Sequence, residues 1–139
     1  MNISIGSDHA GFEYKSTIIK NLSTKKHKIL DVGPFTKDSV DYPDFAHLVA
    51  KEVLAGKKYG ILICGSANGV CMTANKHKNI RAAICWNTET TKLARQHNNA
   101  NIICLPARFI TIEKSLELIK IFLNESFEGG RHLKRIQKI

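Results

Sequence analysis

Two hydrophobic rhythms take turns along the chain. Short runs of apolar and β-branched residues, 2-NISIGS-7, 28-KILDV-32, 60-GILIC-64, 80-IRAAIC-85 and 101-NIICL-105, have the length and composition of strands. Each is followed by a stretch in which apolar residues recur every three or four positions. Phe12, Lys15, Ile18, Ile19 and Leu22 follow the first strand at helical spacing. In the second such stretch, 41-DYPD-44 opens a helix with Pro43 in its first turn, and Phe45, Leu48, Val49 and Val53 form its apolar face. Gly56 stands where that helix needs a C-terminal cap. Further helices are expected over about 68–77, over about 88–97 behind Asn87 or Thr88, and from Thr111 to about Glu125. Gly129-Gly130 then breaks the chain before a last, basic helix.

Apolar strands that alternate with helices imply a parallel sheet covered on both faces. Crossovers in such sheets are right-handed, so the expected fold class is α/β, a doubly wound, five-stranded, three-layer α/β/α domain over residues 1–139. Sheets of this kind bind ligands beyond the C-terminal ends of their strands. Ser7-Asp8-His9 follow the first strand, Cys64-Gly65-Ser66 the third and Pro106-Ala107-Arg108 the fifth. Tyr42 starts the second helix and His97-Asn98 close the fourth. An acid, two imidazoles, a thiol, a hydroxyl, an amide and an arginine are thus expected at one crevice. Each has a plainer reading alone: Asp8 as a cap of the first helix, His9 or His97 as a partly buried structural histidine.

Composition and charge narrow the picture without deciding it. The chain has 139 residues, 43% hydrophobic and 24% charged, which suits one globular domain. No apolar run reaches the roughly 20 residues of a membrane helix. The N-terminal MNISIGSDHAG lacks the pattern of a signal peptide, so a cytoplasmic location is the expectation. Cysteines at 64, 71, 85 and 104 form no CxxC pair, and are read as reduced thiols with no metal framework. The net charge of +9 is concentrated in 25-KKHK-28 and 131-RHLKRIQK-138. It suits either nucleic acid or a phosphorylated small molecule, but no nucleic-acid-binding motif accompanies it.

The most chemical stretch is 61-ILICGSANGVCMTANK-76, an apolar strand leading through a glycine turn into a helix. It contains neither GxxxxGK[ST] nor GxGxxG. Backbone N–H groups in such a turn favour negative charge. The same field is expected to lower the pKa of Cys64 and favour its thiolate. Packing and chemistry both remain open for this thiol. In the tail, Arg131 and Arg135 lie four apart, on one face of a helix, where two guanidinium groups can hold a phosphate. A solvated basic tail is the plainer reading.

Five motifs in order, SDHAG, DYPD, CGSANG with ANK, RQHNNAN and EGGRH..R, make the chain resemble type B ribose-5-phosphate isomerase. That family also holds allose- and galactose-6-phosphate isomerases. The resemblance spans essentially all 139 residues. It implies a cofactor-free, Rossmann-like aldose–ketose isomerase acting on a sugar phosphate, working as a homodimer or tetramer with active sites shared between subunits. Neither a nucleic acid nor a membrane is implied as a partner, and the C-terminal helix would pack on the neighbouring subunit. By resemblance Cys64 is the base, Ser66 assists at the substrate oxygens, and the amides of Gly65, Ala67, Asn68 and Gly69 hold the enediolate. Asp8 and the partner's His97 open the sugar ring. His9, Arg131 and Arg135, with Arg108 from the partner, bind phosphate, while Tyr42 and Asn98 line the sugar. Pentose 5-phosphate is the implied substrate, with allose 6-phosphate or galactose 6-phosphate as the alternative. A non-catalytic sugar-phosphate or nucleic-acid module is the rival of a different class. Where the family loop commonly reads CGTGxG, this chain has Ser66, Ala67 and Asn68. Serine keeps the hydroxyl, and Ala67 suits the loop only where that position needs no positive φ. Cys71, one helical turn on, is expected in the core.

Overall fold

The computed structural model describes residues 1–25 and 27–139; Lys26 of the basic run 25–28 lies outside the described residues. Five strands form one all-parallel sheet: β1 (Asn2–Ser7), β2 (Lys28–Asp31), β3 (Tyr59–Cys64), β4 (Ala82–Ile84) and β5 (Ile102–Pro106). Six helices connect and follow them: α1 (Phe12–Thr24), α2 (Tyr42–Leu54), α3 (Asn68–Ala74), α4 (Thr88–Gln96), α5 (Ile112–Asn124) and α6 (Arg131–Ile136). The α/β class, the five strands and the two covered faces are as the hydrophobic rhythm implies. No helix among the described residues is long and apolar enough to cross a membrane.

Burial follows from strand alternation. Ile61 and Ile63 of β3 face Ile18 and Leu22 of α1 and Leu118, Ile119 and Phe122 of α5. Leu62 and Cys64 face the other way, onto Val49 and Ala50 of α2 and Val70 and Ala74 of α3. Every residue of β3 is buried because both faces are covered. Close packing at the centre is set by glycine: a Cβ on Gly60 would lie 2.6 Å from a Val49 methyl.

The strand order is β2-β1-β3-β5-β4. The chain runs outward from β1 to β2, then returns to the far side of β1 to lay down β3. The switch point therefore lies between β1 and β3, where a crevice opens beyond the strand ends. Register puts Ser7 opposite Ile63 and Cys64 opposite Pro106, so the residues just beyond all three strands share one level.

Two elements are shorter than their periodicity suggests. The edge strand β4 was expected over 80–85 but covers Ala82–Ile84. Side chains supply ladder-like bonds at its start: Asn101 Oδ1 accepts from the Arg81 N–H at 2.8 Å, and Asn75 Oδ1 from the Ala82 N–H at 2.8 Å. The same Asn75 caps α3, which ends at Ala74 and not near 77. Asn75 Nδ2 also donates to Ala82 O at 2.9 Å, tying the helix end to the strand start. The other expectations hold to within a residue or two: Asn87 and Thr111 cap α4 and α5 through their side chains, and Gly56, with φ of 112°, follows the last turn of α2.

Candidate active site

Beyond the switch point lies a cleft of about 380 Å³, lined by Asp8, His9, Ala10, Tyr42, Cys64, Gly65, Ser66, Gly69 and Arg108. Backbone bonds hold its three walls together. The Asp8 N–H donates to Ile63 O at 3.1 Å, the Ala107 N–H to Cys64 O at 2.9 Å, and the Arg108 N–H to Gly65 O at 3.1 Å. These carry the parallel ladder one residue past the strands and place acid, thiol and arginine side by side. The resemblance assigns Arg108 to the neighbouring subunit; in the structure it lines the cleft of its own chain. A Cβ on Gly65 would lie only 3.3 Å from its guanidinium carbon.

Asp8 is 8% exposed and does cap a turn: its Oδ1 accepts from the Gly11 N–H at 3.0 Å. The cap and a place in the cleft are compatible, since one carboxylate offers more than one acceptor site. Across from it the Tyr42 ring lies on Gly69, where a Cβ would come within 2.3 Å of the phenol. Glycine is required there by contact, not by φ.

Two expectations about the loop are corrected. Ala67 adopts φ 65°, ψ −6°, the left-handed conformation that a non-glycine residue takes at a cost of roughly 1–2 kcal/mol. Its methyl is fully buried, which offsets part of the strain. The second correction concerns Cys64. Its thiol accepts from the Ala67 N–H at 3.1 Å, as the glycine-turn reading implies. Burial and the neighbouring Asp8 carboxylate nevertheless outweigh the N–H groups of Ala67, Val70 and Ser66, and push its pKa above the ordinary thiol value. Sequence spacing shows the amides; it does not show how deep the sulfur sits. Ser66 is exposed, and its hydroxyl accepts from Asn68 Nδ2 at 3.3 Å.

The expected single crevice is in fact divided. His97, Asn98, Arg131 and Arg135 are absent from the cleft lining. The reason is topological: α4 runs back against the strand direction, so its C-terminus lies at the edge where strands begin. Arg81, which precedes β4, donates through Nε to Asn98 O at 2.9 Å and fixes Asn98 at that edge. His97 caps α4 there, and α6 with Arg131 and Arg135 packs beside it through His132, whose ring stacks on His97 with centroids 4.1 Å apart. Glu128 completes this second cluster, its Oε2 lying 3.9 Å from His97 Nε2 and 3.6 Å from His132 Nε2. Sequence reasoning singled out His97 and passed over His132 and Glu128. Their signal lay in the EGGRH motif, beside the arginines, but no spacing rule connects it to residue 97.

Candidate metal ligands among the described residues are His97, Glu128 and His132, whose ligand atoms lie within 4.8 Å of one another. The cysteines are all free and buried. Cys71 is in the core as expected, bonded to Ala82 O through its thiol. Cys104 is pushed well above the ordinary thiol value by complete burial, then by Cys71.

The family model described as Ribose/Galactose Isomerase matches residues 3–139. A probable ribose-5-phosphate isomerase B of Mycoplasma pneumoniae is 48% identical over 139 residues, 99% of this chain and 91% of the relative. The ribose-5-phosphate isomerase B of Escherichia coli is 36% identical, covering 99% of this chain and 93% of its own. Among solved structures, ribose-5-phosphate isomerase B from Clostridium thermocellum superposes with a TM-score of 0.98 at 40% identity, over 99% of this chain and 94% of that one. The Mycoplasma genitalium enzyme, solved with bound ribulose-5-phosphate, gives 0.95 at 48% identity over 99% and 92%.

Proposed function

Because the chain belongs to the ribose/galactose isomerase family, we propose that its switch-point cleft is one half of an aldose–ketose isomerase site, completed by a second copy. The reaction is the interconversion of D-ribose 5-phosphate and D-ribulose 5-phosphate through an enediolate. The observation that carries the site assignment is the gathering of Asp8, Cys64, Ser66 and Arg108 around one cleft of about 380 Å³, a volume suited to a small sugar phosphate.

The chemistry follows from these positions. In the open-chain aldose the C2 proton is weakly acidic, and its removal needs a base and a stabiliser of the oxyanion. Cys64, its sulfur accepting from the Ala67 N–H at 3.1 Å, acts in its thiolate form: it takes the proton from C2 to become the thiol and returns that proton to C1. The exposed Ser66 hydroxyl moves a proton between O1 and O2. N–H groups of the first turn of α3, which have no partner inside the helix, face the developing charge. Such a donor contributes on the order of 10²–10³ in rate and a placed base roughly 10²–10⁴. Tyr42 over Gly69 walls the sugar, and His9 and Arg108 supply donors for its anionic end.

The remaining groups support a two-chain site. His97, Asn98, Arg131 and Arg135 lie at the opposite edge of the sheet from Cys64, so only a neighbouring copy can bring them to this cleft. In that arrangement Asp8 and the second copy's His97 open the furanose: one takes the anomeric hydroxyl proton, the other protonates the ring oxygen as the C1–O4 bond breaks. Arg131 and Arg135 grip the phosphate.

The test is isomerisation of ribose 5-phosphate in EDTA. Wild type should turn over at an unchanged rate, and Cys64→Ala should lose about 10²–10⁴ in kcat. No wild-type turnover would sink the isomerase reading, and full activity in Cys64→Ala would remove the thiol from its role.

A further inference from the structure

His132 is the least expected member of the second cluster. It lies on a short basic helix, yet its side chain is 8% exposed, against 37% for His97. The local backbone is built to bury it. The Glu128 N–H donates to Gln96 O at 3.0 Å, stitching the segment before α6 to the end of α4. Gly129 and Gly130 then both take positive φ, 68° and 52°, and turn the chain sharply back. The His132 N–H donates to Gly129 O at 3.0 Å as the helix begins. The result is two imidazole planes only 8° from parallel with centroids 4.1 Å apart.

That geometry argues against a ligand set. A metal bound by two imidazoles lies close to the plane of each ring, and two stacked, nearly parallel planes do not meet at one point beside their nitrogens. It suits a platform instead. One ring is buried and fixed by packing; the other lies on it with one face covered and its edge open to solvent. The Glu128 carboxylate is near both Nε2 atoms but beyond hydrogen-bond distance, so it acts on them through charge. A side chain covered on one face and flanked by a carboxylate has lost most of its rotational freedom, and that preorganisation is what a proton-transfer group needs.

We propose that His132 is a positioning residue for His97: its buried ring, with Glu128 alongside, holds His97 in the orientation from which it exchanges a proton with the furanose bound to a second copy. This rests on the reading of His97 in ring opening given above. A positioning role confined to ring opening has a distinctive kinetic consequence. Ribose 5-phosphate is mostly furanose and must be opened. Ribulose 5-phosphate has its O5 esterified and cannot close to a furanose, so its enediolate step needs no ring-opening group.

The experiment compares the two sugars. In His132→Ala, kcat for ribose 5-phosphate should fall about 10-fold or more, with KM within twofold because Arg131 and Arg135 remain. Exchange of the C1 hydrogen of ribulose 5-phosphate with deuterated solvent should stay within twofold of wild type. His132→Phe keeps a flat ring without nitrogens; it should recover most of the ribose turnover, and it keeps the test standing if truncation unfolds α6. Unchanged ribose turnover in His132→Ala, or equal slowing on both sugars, would overturn the proposal. So would stoichiometric zinc bound by wild type and lost in His132→Ala, which would make the trio a ligand set. His97→Ala separates premise from inference. If it too leaves ribose turnover unchanged, the reading of His97 has failed; if it alone impairs ribose opening, only the role of His132 has.

Discussion

Cys64 sits between opposing influences that the free chain resolves toward the thiol. Burial and Asp8 raise its pKa, three N–H groups lower it, and the net direction is upward from 9.0. Alkylation by iodoacetamide, which needs the thiolate, should therefore still be accelerating with pH at 9, with Cys64→Ala as the blank. Asp8→Asn removes the second-largest raising influence and should move the profile to lower pH; an unmoved profile would show that the carboxylate does not reach the sulfur electrostatically. Three residues on, Ala67 stands in a left-handed conformation. Replacing alanine by glycine ordinarily weakens a folded protein, but here relief of backbone strain of roughly 1–2 kcal/mol is set against about 0.8 kcal/mol for one buried methyl. Ala67→Gly should leave the urea midpoint unchanged or raise it slightly. A clear loss would mean that the methyl's packing outweighs the strain.

At the scale of elements, the site depends on contacts that fix helices to strand ends. Gly69 in the first turn of α3 and Tyr42 in that of α2 touch so closely that no side chain fits between them. Gly69→Ala must push out the half-exposed Tyr42 ring, so kcat/KM for ribose 5-phosphate should fall on the order of 10-fold with little change in stability. A change below twofold would remove Tyr42 from the sugar's wall. On the other side of the sheet, Lys15 of α1 is 1% exposed, and its ammonium bonds Asp31 at 2.5 Å and Pro34 O at 2.8 Å. Helical spacing alone includes Lys15 in the apolar face of α1, and only the fold reveals the reason: it pins α1 to the end of β2. Lys15→Ala leaves Asp31 with the Gly33 N–H as partner and should cost about 2 kcal/mol by urea denaturation.

For the molecule as a whole, three histidines share a direction. His27, His77 and His132 all have their pKa lowered from 6.5, each first by burial and then by nearby positive or imidazole groups. Such groups bind protons more readily unfolded than folded, so the stability they contribute is present above pH 6.5 and is lost as pH falls below it. The urea midpoint should be lower at pH 5.5 than at 7.5, and a flat or opposite trend would contradict these shifts. The divided site makes a second prediction at this scale. Mixing Cys64→Ala and His97→Ala proteins through a dissociation and reassociation cycle should restore about a quarter of wild-type activity, if pairs form at random and each site draws on both copies. No recovery would mean that the site is not shared.

Much of this protein is legible in one dimension. Apolar runs of β length alternate with amphipathic stretches, and that alone determines an α/β sheet covered on both faces, because no other layering buries both patterns. It also determines where to look, since strand ends are identifiable from strand patterns; Asp8, Cys64 and Arg108 follow from that. Tertiary structure decided what depends on distance through space. The insertion of β5 between β3 and β4 is invisible to periodicity, which orders elements along the chain but not across a sheet. The pKa of Cys64 turns on burial, and the backbone angle of Ala67 on what packs around it. Above all, helix direction separates His97 from Asp8. A residue at the end of a helix that runs back beside its strand lies at the far edge of the sheet, however close its motif stands to the others along the chain.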